Sequence, residues 1–295
     1  MTLNRYGRIS KPFKSVILCV QDLRILWISM GAFLLLILFS CSGFAQSPAL
    51  LYSNLQNATS FSVTQNFVYV VEQDQNRILK FDHEGVLVET VGGKGSGDYQ
   101  FSRPVDIDAT NGLKIFITDY NNRRVQVFDR RGQFLSSIYR GDTFGSSRRY
   151  NPTQISVNSL GEVFFVDETE DQIYRFDVDS NLMDEFRISS EIASVDEMLA
   201  TSKEILVLDK RTKTIHRLAL NSSYRGFLPA DGVSAFHKNE RGFWKVYRDR
   251  LELETETGNS SSFQFDEEIS PTGIKAINNT AYILTSTQLF KITVE

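Results

Sequence analysis

Residues 95–134, GSGDYQFSRPVDIDATNGLKIFITDYNNRRVQVFDRRGQF, hold the pattern that decides the fold. Three short runs rich in β-branched and aromatic residues, VDIDA, KIFIT and RVQVF, are parted by the turn clusters Thr110-Asn111-Gly112 and Asp119-Tyr120-Asn121-Asn122. A fourth run, residues 133–139, follows the turn at Arg130-Arg131-Gly132. Strands of about five or six residues punctuated by Gly, Asn and Asp are what antiparallel β-structure requires, because those residues tolerate turn backbone. The unit reads as a four-stranded antiparallel sheet.

The same unit recurs along the chain, and a fixed period decides the architecture. FVYVVEQDQNRILKFDHEGVLVETV, residues 67–91, lies 47 residues upstream, with Glu72 under Asp119, Arg77 under Arg124, Phe81-Asp82 under Phe128-Asp129 and Gly85 under Gly132. NPTQISVNSLGEVFFVDETEDQIYRFDVDSNLMDEF lies 48 residues downstream, with Pro152 under Pro104, Asp167 under Asp119 and Phe176-Asp177 under Phe128-Asp129. Fainter copies follow. SKEILVLDKRTKTIHRLAL places Asp209 under Asp167, GFWKVYRDRLELETETG places Gly258 under Gly85, and AYILTSTQLFKITVE supplies two strands before the chain stops. Six units result, clearest at 57–92, 93–140 and 141–188. Ile115, Ile117, Val125, Val127, Leu206 and Leu208 recur at period two and are expected on the inward face of their sheets.

The last unit lacks an outer strand, while ALLYSNL, residues 49–55, is an apolar run ahead of the first unit. Joined, they close a ring and cover an edge that would otherwise template aggregation. The GSG lead-in, Phe101, Pro104, the Val-Asp-Ile-Asp strand, Asp119, NNRRVQVFD and Gly132 together resemble an NHL repeat. The resemblance implies an all-β, six-bladed β-propeller over residues 46–295. Blades four to six depart from the pattern: they lack the glycine-rich lead-in and the proline, and blade five has Arg248 where the acid is expected.

The first 45 residues differ in kind. Arg5, Arg8, Lys11, Lys14 and Arg24 stand against the single acid Asp22, ahead of an apolar run at 25–39. These are the n- and h-regions of an export signal, with Gly43 and Ala45 placed for cleavage before Gln46. Two alternatives stay open: Leu38-Phe39-Ser40-Cys41 resembles a lipobox that would lipidate Cys41, and residues 25–45 are long enough to remain as a membrane anchor. All three put the propeller on the exported side, in the cell envelope or secreted, touching membrane only through this segment. Both cysteines, Cys19 and Cys41, lie here, so the exported part has no disulfide and depends on its core. At this length it buries roughly 70 to 75% of the surface of the unfolded chain. It carries 27 bases against 35 acids, which weighs against nucleic-acid binding by clustered Lys and Arg.

The most repeated polar residues, Asp119, Arg124, Asp167 and Asp209, recur once per blade and read as scaffold, acceptors for turn N–H groups. Function is expected instead where the loops are irregular, on the face shared by the blade connections and the turns between second and third strands. There stand Tyr99, Arg103, Tyr120, Arg123, Arg148, Arg149 and Tyr150, aromatic and arginine side chains suited to contact. They point to a protein or anionic polymer as partner and to a non-catalytic binding platform, monomeric as a propeller. The resemblance implies an alternative, a metal-dependent lyase or lactonase using the central channel. Yet His83, His216 and His237 fall in different blade layers without ligand spacing, and no catalytic residue, metal ligand or cofactor motif is identified. Asp167-Glu168-Thr169-Glu170-Asp171 lacks the central glycine of a calcium loop and reads as a solvated turn. Sequons at Asn57, Asn221, Asn259 and Asn278 would matter only in a eukaryotic secretory pathway.

Overall fold

The computed structural model describes residues 48–139 and 150–294; the N-terminal segment with Cys41, and the loop residues Arg148 and Arg149, lie outside the described residues. The described residues form strands only. After β1 (Ala49–Ser53), blade one comprises β2 (Ala58–Val63), β3 (Val68–Glu72), β4 (Arg77–Phe81) and β5 (Leu87–Gly92). Blade two comprises β6 (Pro104–Asp108), β7 (Lys114–Asp119), β8 (Arg124–Asp129) and β9 (Phe134–Ile138). Blade three is β10 (Pro152–Val157), β11 (Val163–Asp167), β12 (Gln172–Phe176) and β13 (Leu182–Arg187), and blade four is β14 (Glu197–Ala200), β15 (Glu204–Asp209), β16 (Thr214–Ala219) and β17 (Tyr224–Pro229). Blade five is β18 (Ala235–Asn239), β19 (Gly242–Val246), β20 (Arg250–Glu254) and β21 (Ser260–Gln264). Blade six takes β22 (Pro271–Ile277), β23 (Thr280–Thr285) and β24 (Gln288–Thr293), and β1 completes it.

That closure is the expected one. Leu50 lies opposite Phe290 and Tyr52 opposite Leu289 in an antiparallel ladder, so β24 is no longer an edge. Leu51, Tyr52 and Leu55 then pack with Phe61, Phe81, Tyr282 and Leu284, joining the sixth blade to the first through one apolar cluster.

The second strands of the blades, and the third strand of blade two, are largely buried on both faces, because each blade is pressed between two neighbours, whereas β20 and β24 keep a wetter face. This corrects the expected inward face. Ile115 and Ile117 face blade one, beside Tyr69, Val71 and Ile78, whereas Val125 and Val127 face blade three, beside Ile155 and Phe165. Leu206 and Leu208 likewise pack with Phe236 and Phe243, while Ile205 and Val207 pack with Phe164 and Val166. Period-two alternation marks strands with one wet face and does not tell apart two dry ones. The outermost strands, such as β5 and β13, are largely exposed.

Side chains of the innermost strands stitch successive blades together. Ser62 Oγ accepts from Ala109 N, Asp108 Oδ2 from Val157 N and Ser156 Oγ from Ala200 N, each at 2.9 Å. The repeated acid has the expected scaffold role. Asp119 Oδ1 accepts from Ser102 N at 2.7 Å and its Oδ2 from Arg124 Nε at 2.9 Å, with both side chains buried. Asp209 accepts from the N–H groups of Ala193, Arg211 and Thr212. Blade six uses Thr285 here, its Oγ1 accepting from Gln288 N at 2.9 Å. Contrary to expectation blade six also keeps the proline: Pro271 pairs with Thr285 as Pro104 pairs with Asp119 and Pro152 with Asp167. In blade five Arg248 is exposed, 3.7 Å from Glu268, and does not replace the acid.

Candidate functional site

In an up-and-down blade, the connections between blades and the turns joining second to third strands emerge on one face. On that face three successive turns are chained together. Asn76, in the turn of blade one, accepts from Arg103 N at 2.8 Å. The Arg103 carbonyl accepts from Tyr120 N at 3.2 Å, and the Arg103 guanidinium lies 4.4 Å from the centroid of the Tyr120 ring. The Glu168 carboxylate of blade three is the main cause that pushes the Tyr120 phenol above its ordinary pKa. Arg123, exposed, completes the patch. Neither Arg103 nor Arg123 joins an ion pair among the described residues. Asn76, which carries no expectation from the sequence, belongs to the arrangement, and its signal is its place in the period, four residues after Glu72; Glu168, expected only in a solvated acidic turn, lies beside Tyr120.

Arg103 and Arg123 both have left-handed backbone, with φ of 59° and 58°. The turn position of Arg123 is filled by Asn76, Asp171 and Lys213 in blades one, three and four, all with positive φ. Asn and Asp adopt this conformation readily and arginine does not, at about 1–2 kcal/mol for an ordinary residue.

The structure does not unite the other expected contact residues with this patch. Tyr99 packs against Phe128 and Phe134 and accepts from Phe134 N at 2.9 Å, so its ring lies on blade two while staying 37% exposed. The loop carrying it is clamped by Arg124, whose Nη2 donates to the carbonyls of Gly97 and Gln100, both at 2.9 Å. Tyr150 is only 3% exposed, its ring packed on Phe165, Tyr174 and Phe176. It is a core residue and offers a partner no surface.

A second cluster of titratable groups lies near the axis. Asp106 Oδ2 accepts from Ile155 N at 2.8 Å, and its Oδ1 accepts from Ile107 N and Ser60 Oγ. Glu197 Oε2 accepts from Phe236 N at 3.0 Å, with Lys275 Nζ 3.7 Å from its Oε1. Burial, opposed by Lys275, pushes the Glu197 carboxyl up to about 6. His237 is buried, its Nδ1 has no partner among the described residues, and burial, assisted by Lys275, pushes its pKa down to about 3. The donor set does not fit a resident divalent metal: the carboxylates are engaged by backbone N–H groups, and an ammonium sits against Glu197. Among the described residues no three His, Cys, Asp or Glu side chains converge on a possible metal position. His83 instead bonds the Tyr282 hydroxyl at 2.7 Å and His216 bonds Thr214 and Tyr224.

Comparison with known proteins agrees with the geometry. Residues 101–128 match the family model of the NHL repeat, so the second blade is an NHL repeat. The human E3 ubiquitin-protein ligase NHLRC1 is 35% identical over 66 residues, which is 22% of this chain and 17% of that protein. The chain thus aligns with less than a fifth of this relative's length. Among solved structures, a streptogramin B lyase superposes with a TM-score of 0.55 at 14% identity, covering 85% of this chain and 87% of the other. The WD40 repeats of RRP9 superpose with a TM-score of 0.58 at 11% identity, covering 81% and 78%. At such identities the likeness is one of fold.

Proposed function

We propose that this six-bladed propeller, with an NHL repeat as its second blade, is a non-catalytic binding platform. It presents the Arg103–Tyr120–Arg123 patch to an acidic segment of a partner protein. The observation that carries this reading is the pair of exposed arginines without ionic partners among the described residues, Arg103 lying over the Tyr120 ring and Arg123 in the adjoining turn. Guanidinium groups meet carboxylates with directed donors and give a contact its register. The axial cluster supports catalysis less well, since its carboxylates are consumed in joining blades. A photo-crosslinking residue placed at position 123 of the full-length chain tests the idea. Crosslinks to a protein partner are expected there and not at position 178 on the opposite face; equal yields at the two positions would refute it.

We place the platform outside the cytoplasmic membrane. The five bases and apolar run of residues 1–45 support this, and a cysteine-free body suits the compartment equally well with or without an oxidant. Protease added to cells with a permeabilised outer membrane is expected to digest the propeller while a cytoplasmic marker survives. Survival of both would put the domain inside.

A further inference from the structure

On the opposite face, where first strands turn into second strands and third into fourth, a groove of about 480 Å³ lies between blades one and two. That volume falls in the range of roughly 300–1,000 Å³ typical of small-ligand sites. Its walls are the turn after β2, the turn after β6 and the turn after β8. Lys114, Arg130 and Arg131 line it and no carboxylate does, although the chain carries more acids than bases. Neither Arg130 nor Arg131 joins an ion pair among the described residues.

The turn that carries the two arginines occurs in three blades on one plan. Asp82, Asp129 and Asp177 each accept from two backbone N–H groups further along their own turn, at 2.8 to 3.0 Å. The scaffold residue is constant and the two tip residues vary: His83-Glu84 in blade one, Val178-Asp179 in blade three, Arg130-Arg131 in blade two. Folding does not require arginine at these tips. The facing walls are equally fixed, Thr64 Oγ1 accepting from Phe67 N at 3.1 Å and Asn111 Oδ1 from Leu113 N at 3.0 Å.

We propose that this groove binds an acidic saccharide, its arginines pairing with uronate carboxylates. Neutral hydrogen-bonding side chains, Gln65, Asn66 and Thr110 among them, outnumber the cations around the groove, and Phe67 adds an apolar surface. That proportion matches a ligand with several hydroxyls per carboxylate. A nucleic acid offers at most one free hydroxyl per phosphate charge along its chain, and a phosphopeptide concentrates its charge on a few side chains. The concave, preformed wall also suits a compact ring better than an extended peptide.

The test is titration of the full-length chain with trigalacturonate, with its methyl ester, and with a glutamate-rich peptide of equal charge. Trigalacturonate is expected to bind, the ester and the peptide at least about tenfold more weakly. Arg130→Ala with Arg131→Ala is expected to lower the affinity about tenfold or more with an unchanged melting temperature, whereas Arg103→Ala leaves it unaltered. Gln65→Ala with Asn66→Ala is expected to weaken the saccharide without changing the response to salt. Absence of trigalacturonate binding, equal binding by the Arg130/Arg131 variant, or preference for the peptide would each overturn the proposal. Because Arg103 lies on the other face, these results are separate from the fate of the protein-binding patch.

Discussion

The guanidinium of Arg103 lies over the ring of Tyr120, 4.4 Å from its centroid, and joins the blade connection to the turn of the second blade. At an exposed site such a contact contributes about 0.5–1 kcal/mol. Arg103→Ala and Tyr120→Ala are each expected to lower stability by no more than about that amount, and a double-mutant cycle in urea should return a coupling of the same size. A coupling near zero would mean the pair is held apart from the ring plane in solution.

Arg123 offers a sharper separation of stability from function. Its φ of 58° is the conformation that Asn76 fills in blade one. Arg123→Asn is therefore expected to stabilise the propeller by about 0.5 kcal/mol while weakening partner capture. A destabilised variant in thermal unfolding would show that the arginine side chain, rather than its backbone, fits the turn.

Asp119 and Arg124 are both buried, with side chains 0% and 3% exposed. Asp119→Ala would strand a guanidinium without its counter-charge and leave the Ser102 N–H without its acceptor. A loss of about 3–5 kcal/mol is expected from urea unfolding, with a smaller loss for Asp119→Asn. A loss below about 1 kcal/mol for the alanine variant would contradict the scaffold role.

Ring closure depends on β1. Deleting residues 46–56 exposes β24 as an edge and removes Leu51, Tyr52 and Leu55 from the cluster joining blades six and one, so the single cooperative transition should be lost. Gly85 tests the same seam with one atom. It has a φ of +86°, and a Cβ there would collide with the Leu51 carbonyl. Gly85→Ala is expected to cost more than about 1 kcal/mol in thermal unfolding. A neutral substitution would mean the seam is looser than described.

Near the axis, Glu197 and His237 pull stability in opposite directions with pH. Glu197 is raised from 4.5 to about 6, so the folded state holds its proton more tightly. The stability it contributes is full below pH 4.5 and is lost, on the order of 2 kcal/mol, as pH rises through 6. His237 is lowered from 6.5 to about 3, so its contribution is full above pH 6.5 and falls as the unfolded chain protonates in acid. Between pH 4.5 and 6 the two slopes oppose each other. His237→Gln should unmask the Glu197 slope, giving a protein that gains stability from pH 6 to 4.5 in urea titrations. An unchanged pH profile would contradict the buried neutral imidazole.

Much of this architecture is legible in the chain. The period, the Asp119-type acid and the apolar run at 49–55 are enforced by turn and edge chemistry that residue types reveal directly. Facing is not legible: Ile115 and Val125 look alike in a pattern, yet they pack against different blades, because both surfaces of an inner strand are dry. The contact residues divide for the same reason. Tyr99 and Tyr150 carry the composition of a binding loop, but Tyr150 fills the space between blades two and three and Tyr99 leans on Phe128 and Phe134, and only packing reveals that. Arg130 and Arg131 read as turn punctuation because Gly132 follows them, and their place beside a groove depends on the neighbouring blade.

The central claim is tested most directly by quantitative capture from an envelope extract with three full-length baits: wild type, Arg103→Ala with Arg123→Ala, and Arg130→Ala with Arg131→Ala. At least one protein is predicted to be retained by the wild type and the Arg130/Arg131 variant and lost, about tenfold or more, from the Arg103/Arg123 variant. Equal recovery of every protein by all three baits would contradict a protein-binding patch at Arg103 and Tyr120.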